Sequence, residues 1–413
     1  MRIGYSLRDI TPEYNMELVG FIPSRMSTGI HSKLHVKVLT LTDGDKRYAW
    51  MVTDLLGNDL YLKEQILSQL EAKGYHYDDF QMFSTHTHSG PRVLNESQYY
   101  EQDENGPERQ YFDRLVSLCV DAFIESNASL EPFKVRIARS MMEGFQSNRI
   151  NQKYEDDKEV LVVEVILPHE TILLYSFGGH PTILDRNSTL YSSDYVGEVD
   201  RVLQETYPFT MFFNAPCGDM STRFYRKESS PAECRRLGTI AVNCVKRAVQ
   251  EMGDEIEISK YEVHNYNFDI QLKKFDTIDE AKRKVKYAQD EYNEALAHNI
   301  DGTELRIIKS RLEGALFNEH LSKGFVGKTV KGFDYSIIKI NDYDVITLSS
   351  EVFSELVKPL KEKGNTWLIS LGNQYQSYLP NKRAFDIGTY EALSSIYERG
   401  EGERLVKEIE SNR

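Results

Sequence analysis

The stretch that decides how this chain is read is Phe80-Gln81-Met82-Phe83-Ser84-Thr85-His86-Thr87-His88-Ser89-Gly90-Pro91. Its first four residues form a short buried-strand pattern, and Gly90-Pro91 stops it. On an extended backbone, residues two apart project to the same side, about 7 Å from each other. His86 and His88 are therefore expected to face one cavity, one as a ligand and the other beside it. An HxH pair alone describes two surface histidines of a strand equally well. Its place where a strand runs into a loop favours chemistry, because α/β sheets build their sites at strand ends.

The same arrangement recurs twice. Leu173-Leu174-Tyr175-Ser176-Phe177 runs into Gly178-Gly179-His180-Pro181. Two glycines remove side chains where the strand ends, so another backbone or a ligand can come close, and the histidine after them is presented or simply sits in a turn. Phe212-Phe213-Asn214-Ala215-Pro216 ends in Cys217-Gly218-Asp219-Met220-Ser221. Ser221 is open to three readings: nucleophile, partner of a substrate hydroxyl, or turn residue. Cys217 is open to thiol chemistry or to packing. His31 and His35 fall in the first hairpin region, His76 in a loop, His169 in a turn, His264 in a strand, and His298 and His320 in a charged helical hairpin, and none is assigned chemistry.

Around these strand ends, strands and helices alternate without strict order. Leu34–Leu41 and Tyr48–Val52 read as a hairpin about Thr42-Asp43-Gly44-Asp45. Asp59–Ala72 has helical spacing and stops at Gly74, and Val160–Ile166 with Ile172–Phe177 makes a second hairpin. Ser230-Pro231 opens a helix reaching to about Met252. Tyr261–Leu272, Ser336–Ile340, Tyr343–Leu348 and Thr366–Leu371 read as strands, and a helix follows Ser350. The Ala/Glu/Lys/Arg-rich segment Ile278–His320, with Gly302 in its middle, reads as a helical hairpin with a packing or lid role. No internal repeat is visible. The expected fold is α/β (mixed α+β): a multilayer domain over 1–413 with a mixed β-sheet flanked by helices, into which hairpin 278–320 is inserted.

Composition narrows the function. The 413 residues carry 50 Lys+Arg against 64 Asp+Glu, a net charge of −14, and 40% are hydrophobic. Such a chain buries a core and is not disordered. Its acidity argues against nucleic acid or an anionic membrane as principal partner. No run approaches the ~20 apolar residues of a spanning helix, and the polar start Met1–Ser6 gives the expectation of a cytoplasmic protein. The four cysteines form no CxxC pair and no disulfide framework.

Taken in order, Gly4–Thr11, Gly20-Phe21, Gly29-Ile30-His31, Thr53-Asp54-Leu55, Thr85–Pro91 (THTHSGP), Ser147-Asn148-Arg149, His180, Gly218–Ser221, Tyr375–Tyr378 (YQSY) and Gly388–Ala392 resemble the catalytic domain of the neutral/alkaline ceramidases. These are zinc-dependent amide hydrolases that split ceramide into sphingosine and fatty acid. The resemblance spans nearly the whole chain and omits the immunoglobulin-like C-terminal domain of larger members. It implies one Zn2+ per chain, held by His86, His180, Glu351 and Tyr378, with Glu351 opening the helix after Val345–Leu348. The zinc would acidify a water and polarise the amide carbonyl. His88 would be the general acid/base, Arg149 and Tyr390 would stabilise the oxyanion, and Ser221 and Asp219 would hold a substrate hydroxyl.

Three departures stand out. Arg92-Val93 replaces the family's Gly-Gly, Thr222-Arg223 replaces Pro-Asn, and Ser350 replaces the glycine before Glu351. Arg92 and Arg223 would stand at the mouth of the site and favour a substrate group more polar than a lipid tail. The expected substrate is a small N-acyl or sphingolipid-like molecule. A metal-dependent esterase or phosphoesterase, and a non-catalytic binding protein on the same fold, are the alternatives.

Overall fold

The computed structural model describes residues 1–93 and 106–413. Three mixed sheets, each of the same design, surround one apolar core. The first contains β1 (Arg2–Asp9), β2 (His35–Thr42), β3 (Arg47–Thr53) and β4 (Asp79–Ser84). The second contains β5 (Lys134–Met141), β6 (Glu159–Ile166), β7 (Thr171–Phe177) and β8 (Thr210–Asn214). The third contains β9 (Tyr261–Gln271), β10 (Val330–Ile340), β11 (Tyr343–Leu348) and β12 (Thr366–Ile369). In each sheet the first three strands form an antiparallel meander, and the fourth lies parallel to the third.

A parallel pair needs a crossover, and a helix supplies it each time. These are α1 (Leu60–Ala72) in the first sheet, α2 (Asp194–Leu203) in the second and α3 (Ser354–Lys361) in the third. The expected mixed sheet is therefore present three times. The repeat escapes the sequence because what the three units share is a pattern of apolar alternation and connection rather than residue identities.

Alternation explains the layering. In β2, Val36 and Val38 face a helical layer that includes Leu62, Ile66 and Leu115, while Leu39 and Leu41 face the centre. In β7, Ile172 and Leu174 point to the centre, and Leu173, Tyr175 and Phe177 point to the helices outside. Aromatics from all three sheets meet in the middle: Trp50, Phe213 and Trp367 pack edge-on, with ring centroids 5.1–5.8 Å apart.

The hairpins at 35–53 and 159–177 and the helix at 60–72 fall where the pattern places them. Asp59 caps that helix by accepting the Leu62 N–H. Ser230 caps the helix Pro231–Gln250 by accepting the Glu233 N–H. The helical hairpin has arms Ile278–Ala297 and Gly302–Phe325, so its second arm runs five residues beyond the expected end. Its first arm starts at a capping box between Thr277 and Glu280. Glu351 does not open a helix. Glu351-Val352 forms a two-residue parallel ladder with Tyr378-Leu379, and the helix starts at Ser354. Strand β1 and the helix Pro107–Ala128, both absent from the sequence reading, complete the first sheet's packing.

Candidate metal centre and active-site cavity

The parallel pairs of the three sheets aim their C-terminal ends at one point. His86 follows β4, His180 follows β7 and Glu351 follows β11, so each sheet delivers one residue. All three are 0–2% exposed.

His86 sits at φ +70, in the left-handed region, so the extended geometry that would align it with His88 is not what is found. Ladder-like bonds hold it there: Thr85 N–H donates to Thr53 O at 2.9 Å and His86 N–H to Leu55 O at 3.0 Å. The two rings nonetheless meet, with Nε2 atoms 3.4 Å apart. The glycines before His180 act as expected. A Cβ on Gly178 would lie 2.3 Å from Pro216 O, and one on Gly179 would lie 2.5 Å from Gln146 Oε1.

Each ligand-type histidine is oriented through its other nitrogen. His86 Nδ1 lies 2.7 Å from Leu56 O, and His180 Nδ1 lies 3.0 Å from Met220 O. Only a ring N–H can bond a carbonyl, so both Nδ1 atoms carry the proton and both Nε2 atoms present lone pairs when the rings are neutral. These Nε2 atoms face the same Glu351 Oε2, at 3.3 Å from His86 and 2.7 Å from His180. Burial, and then neighbouring Arg149, push His180 down to about 4, so it is neutral at pH 7. The His180 lone pair then faces a buried carboxylate with no proton between them, an arrangement that a cation resolves. His86, His88 and His180 place their ligand nitrogens within 4.8 Å of one another. Backbone-anchored imidazoles and a buried carboxylate are a donor set suited to a divalent metal.

The groups around this centre sort clearly. Tyr375 Oη donates to Glu351 Oε1 at 2.7 Å. The family resemblance instead points to Tyr378, the second tyrosine of YQSY. The Tyr378 ring lines the cavity beside His180, 6.4 Å between centroids and nearly parallel to it. Arg149 Nε donates to Glu391 at 2.5 Å, and its Nη1 approaches His180 Nε2 at 3.3 Å. The Arg149 guanidinium also lies 5.2 Å from the Tyr378 ring and 6.0 Å from the Tyr390 ring. Glu391, which orients Arg149, was legible only as part of the Gly388–Ala392 motif. His88 packs on Phe21, its carbonyl accepts from Arg25, and its Nδ1 is buried without a partner among the described residues. Burial, then His86 and His180, push the His88 pKa well down, so the ring is neutral.

A cavity of about 660 Å³ opens over the centre, with His88, His180, Arg149, Ser221, Tyr378 and Tyr390 in its walls. Arg223 is there as expected. Arg92 is not: it is tied to Glu17 and Glu108 away from the cavity wall. Asp219 also stands outside. Its carboxylate accepts from Ser354 N at 2.6 Å and Ser354 Oγ at 3.0 Å, at the N-terminus of α3, so it serves the fold. Ser221 Oγ accepts the Arg223 N–H at 3.2 Å and has no histidine partner among the described residues. The Cys217 thiol is fully buried and pushed up by that burial, which makes it a packing residue. The second arm of the helical hairpin supplies Arg306, Ile307, Ser310, Arg311 and Glu313 to one wall, so the hairpin helps shape the cavity.

Among the described residues, no helix is long and apolar enough to cross a membrane. The crystal structure of neutral ceramidase from Pseudomonas aeruginosa is similar in fold to this chain. The TM-score is 0.74 at 16% identity, covering 98% of this chain and 72% of that one. Among curated sequences, neutral ceramidase A of Dictyostelium discoideum is 24% identical over 218 residues, which are 48% of this chain and 30% of that protein. Neutral ceramidase 1 of Arabidopsis thaliana is 23% identical over 226 residues, 50% of this chain and 29% of that protein. These matches span less than a third of either relative's length. The family described as neutral/alkaline non-lysosomal ceramidase, N-terminal, matches residues 1–214. The chain belongs to the neutral/alkaline non-lysosomal ceramidase family.

Proposed function

We propose that this protein is a zinc-dependent hydrolase of a linear N-acyl amide bond, ceramidase-like in chemistry and acting on ceramide or a more polar N-acyl compound. The observation that carries this reading is the meeting of His86 and His180 Nε2 on one buried Glu351 oxygen, beside a wide cavity that His180 lines. His86, His180 and Glu351 would hold the zinc, with Tyr378 as the fourth ligand and Tyr375 fixing the carboxylate. When bound, zinc supplies Lewis-acid activation of the amide carbonyl and of water.

The chain's own groups do the rest. His88 is neutral and stands 3.4 Å from His86, placed to take the attacking water's proton and return it to the departing amine nitrogen. Arg149 is anchored by Glu391 with its Nη2 unpartnered among the described residues, so that donor is free for the negative charge that grows on the carbonyl oxygen. Tyr390, whose ring lies close to Arg149 and Tyr378, would add its hydroxyl as a second donor. Ser221 offers a hydroxyl in the cavity wall for a polar group of the substrate.

The test is release of fatty acid from N-acyl substrates by zinc-loaded protein. Hydrolysis that a chelator abolishes and added zinc restores supports the reading. Hydrolysis untouched by chelation contradicts it.

A further inference from the structure

Six arginines and three carboxylates line the cavity, in a chain whose net charge is −14. Three of the arginines are neutralised. Arg149 pairs with Glu391, Arg186 with Glu313 at 2.6 Å, and Arg311 with Glu291 at 2.9 Å. The other three, Arg223, Arg226 and Arg306, form no ion pair among the described residues. Arg223 donates to the Arg149 carbonyl at 3.2 Å and Arg226 to the carbonyls of Thr182 and Ile183. The Arg306 guanidinium has no hydrogen-bond partner among the described residues, although it stands on the cavity wall.

These charges feel one another. Arg223 has open surface toward the cavity yet is enclosed by protein, and burial, then Arg149 and Arg306, hold it down to about 9. Burial, then Arg149 and Arg226, hold Arg306 down as well. A guanidinium is cationic at pH 7, so like charges crowd a semi-enclosed space where their repulsion is screened less than in bulk water. An anion bridging them offsets that cost, and arginine forks bind carboxylate, sulfonate and phosphate oxygens in pairs.

Apolar side chains interleave with the charges. Phe224, Ile307, Ile387 and Leu393 line the same cavity, and each is exposed by more than a third (41, 51, 52 and 37%). A wall with one apolar strip and one cationic strip matches a molecule with a hydrocarbon chain and a negative group.

We propose that Arg223, Arg226 and Arg306 form an anion subsite, and that the substrate is an N-acyl compound carrying a carboxylate, sulfonate or phosphate. Its acyl chain runs over Phe224, Ile307, Ile387 and Leu393. This deepens the amide-hydrolase reading and rests on it. In the reaction the C–N bond breaks, the hydroxyl of water goes to the acyl carbon and its proton to the amine nitrogen, and no redox partner is needed. All three arginines lie outside the motifs shared with the family, and Arg223 belongs to one of the departures from them, so the subsite belongs to this chain's own cavity wall. In an acidic protein a cationic cavity also draws anionic substrates against the surrounding field.

The experiment uses N-dodecanoyl amides of ethanolamine, glycine and taurine, which share the chain and differ in charge, with the full zinc-loaded protein, Arg306→Gln and Arg223→Gln. For the wild type, kcat/KM for the glycine and taurine amides is expected to exceed that of the ethanolamine amide by about tenfold or more, falling severalfold in preference in each variant and with added salt. Equal kcat/KM for charged and neutral amides in the wild type overturns the subsite. If the wild type cleaves none of the three, the hydrolase reading falls, and calorimetric titration with N-dodecanoylglycine decides the subsite alone. Binding weakened severalfold by Arg306→Gln upholds it, and equal binding by wild type and variant overturns it.

Discussion

His180 Nε2 lies 2.7 Å from Glu351 Oε2, although 171 residues separate the two in the chain. The second and third sheets must both be in place for this contact to form, so the centre reports on the whole fold. Metal binding at this centre would therefore be coupled to folding, since a ligand that binds only the native state stabilises it by about 2.7 kcal/mol when free metal is 100 times its Kd. Chelation is expected to lower the melting temperature of wild type and to leave that of Glu351→Gln nearly unchanged. A scanning calorimetry trace with the same chelator effect in both proteins contradicts the assignment.

The proposed mechanism makes His88 a proton carrier rather than a ligand. His88→Gln is expected to keep its metal and to lose about 10²–10⁴-fold in kcat, the usual scale for general acid–base catalysis. Metal content and kcat measured on the same preparation check this. Loss of metal together with activity would make His88 a third imidazole ligand.

Gly20 has φ +99, and a Cβ there would lie 2.4 Å from His88 Nδ1. Gly20→Ala is therefore expected to displace the His88 ring and to lower kcat by about tenfold or more, with metal content unchanged. Wild-type kcat in this variant would show that the position of the ring does not matter to the reaction.

The Arg149–Glu391 pair is buried, at 8% and 5% side-chain exposure. Removing one partner strands the other, a change worth about 3–5 kcal/mol. Glu391→Ala is expected to lose stability on this scale in urea unfolding and to lower kcat through a misoriented Arg149. A variant as stable as wild type would show that Arg149 does not depend on Glu391.

Asp219 titrates at about 6 because burial raises it from 3.8, with the bonds from Ser354 opposing. A carboxyl raised on folding stabilises the native state fully below its unfolded pKa, and that contribution is lost as pH rises through the folded value. The loss amounts to about 3 kcal/mol for a shift of this size. Asp219→Asn does not titrate, so its stability relative to wild type is expected to improve between pH 4 and pH 7. Urea unfolding at both pH values reads this, and a constant difference contradicts it.

Much of this was legible in the sequence where a local pattern governs the structure. The strands 35–53 and 159–177 follow alternation, and His86, His180 and Ser221 follow short apolar runs, with glycine or proline marking the stop close by. What the local pattern could not carry was set by distant partners. Glu351 looks like the start of a helix, yet the Tyr378 backbone draws it into a two-residue ladder. Arg92 looks like a mouth residue until Glu17 and Glu108 claim it, and Asp219 looks like a substrate contact until Ser354 does. Tyr375 was hidden by its neighbour: only the fold shows which tyrosine of YQSY reaches the Glu351 carboxylate. The threefold sheet design was invisible for the same reason, since pairing between strands leaves no mark on residue identity.

The most direct test of the central claim is metal analysis of purified protein, loaded with zinc and dialysed, for wild type, His180→Ala and Glu351→Ala in parallel. One equivalent of zinc in wild type, with little in either variant, is the expected result. No bound zinc in a folded wild type, or equal zinc in all three proteins, would contradict a metal centre built from His86, His180 and Glu351.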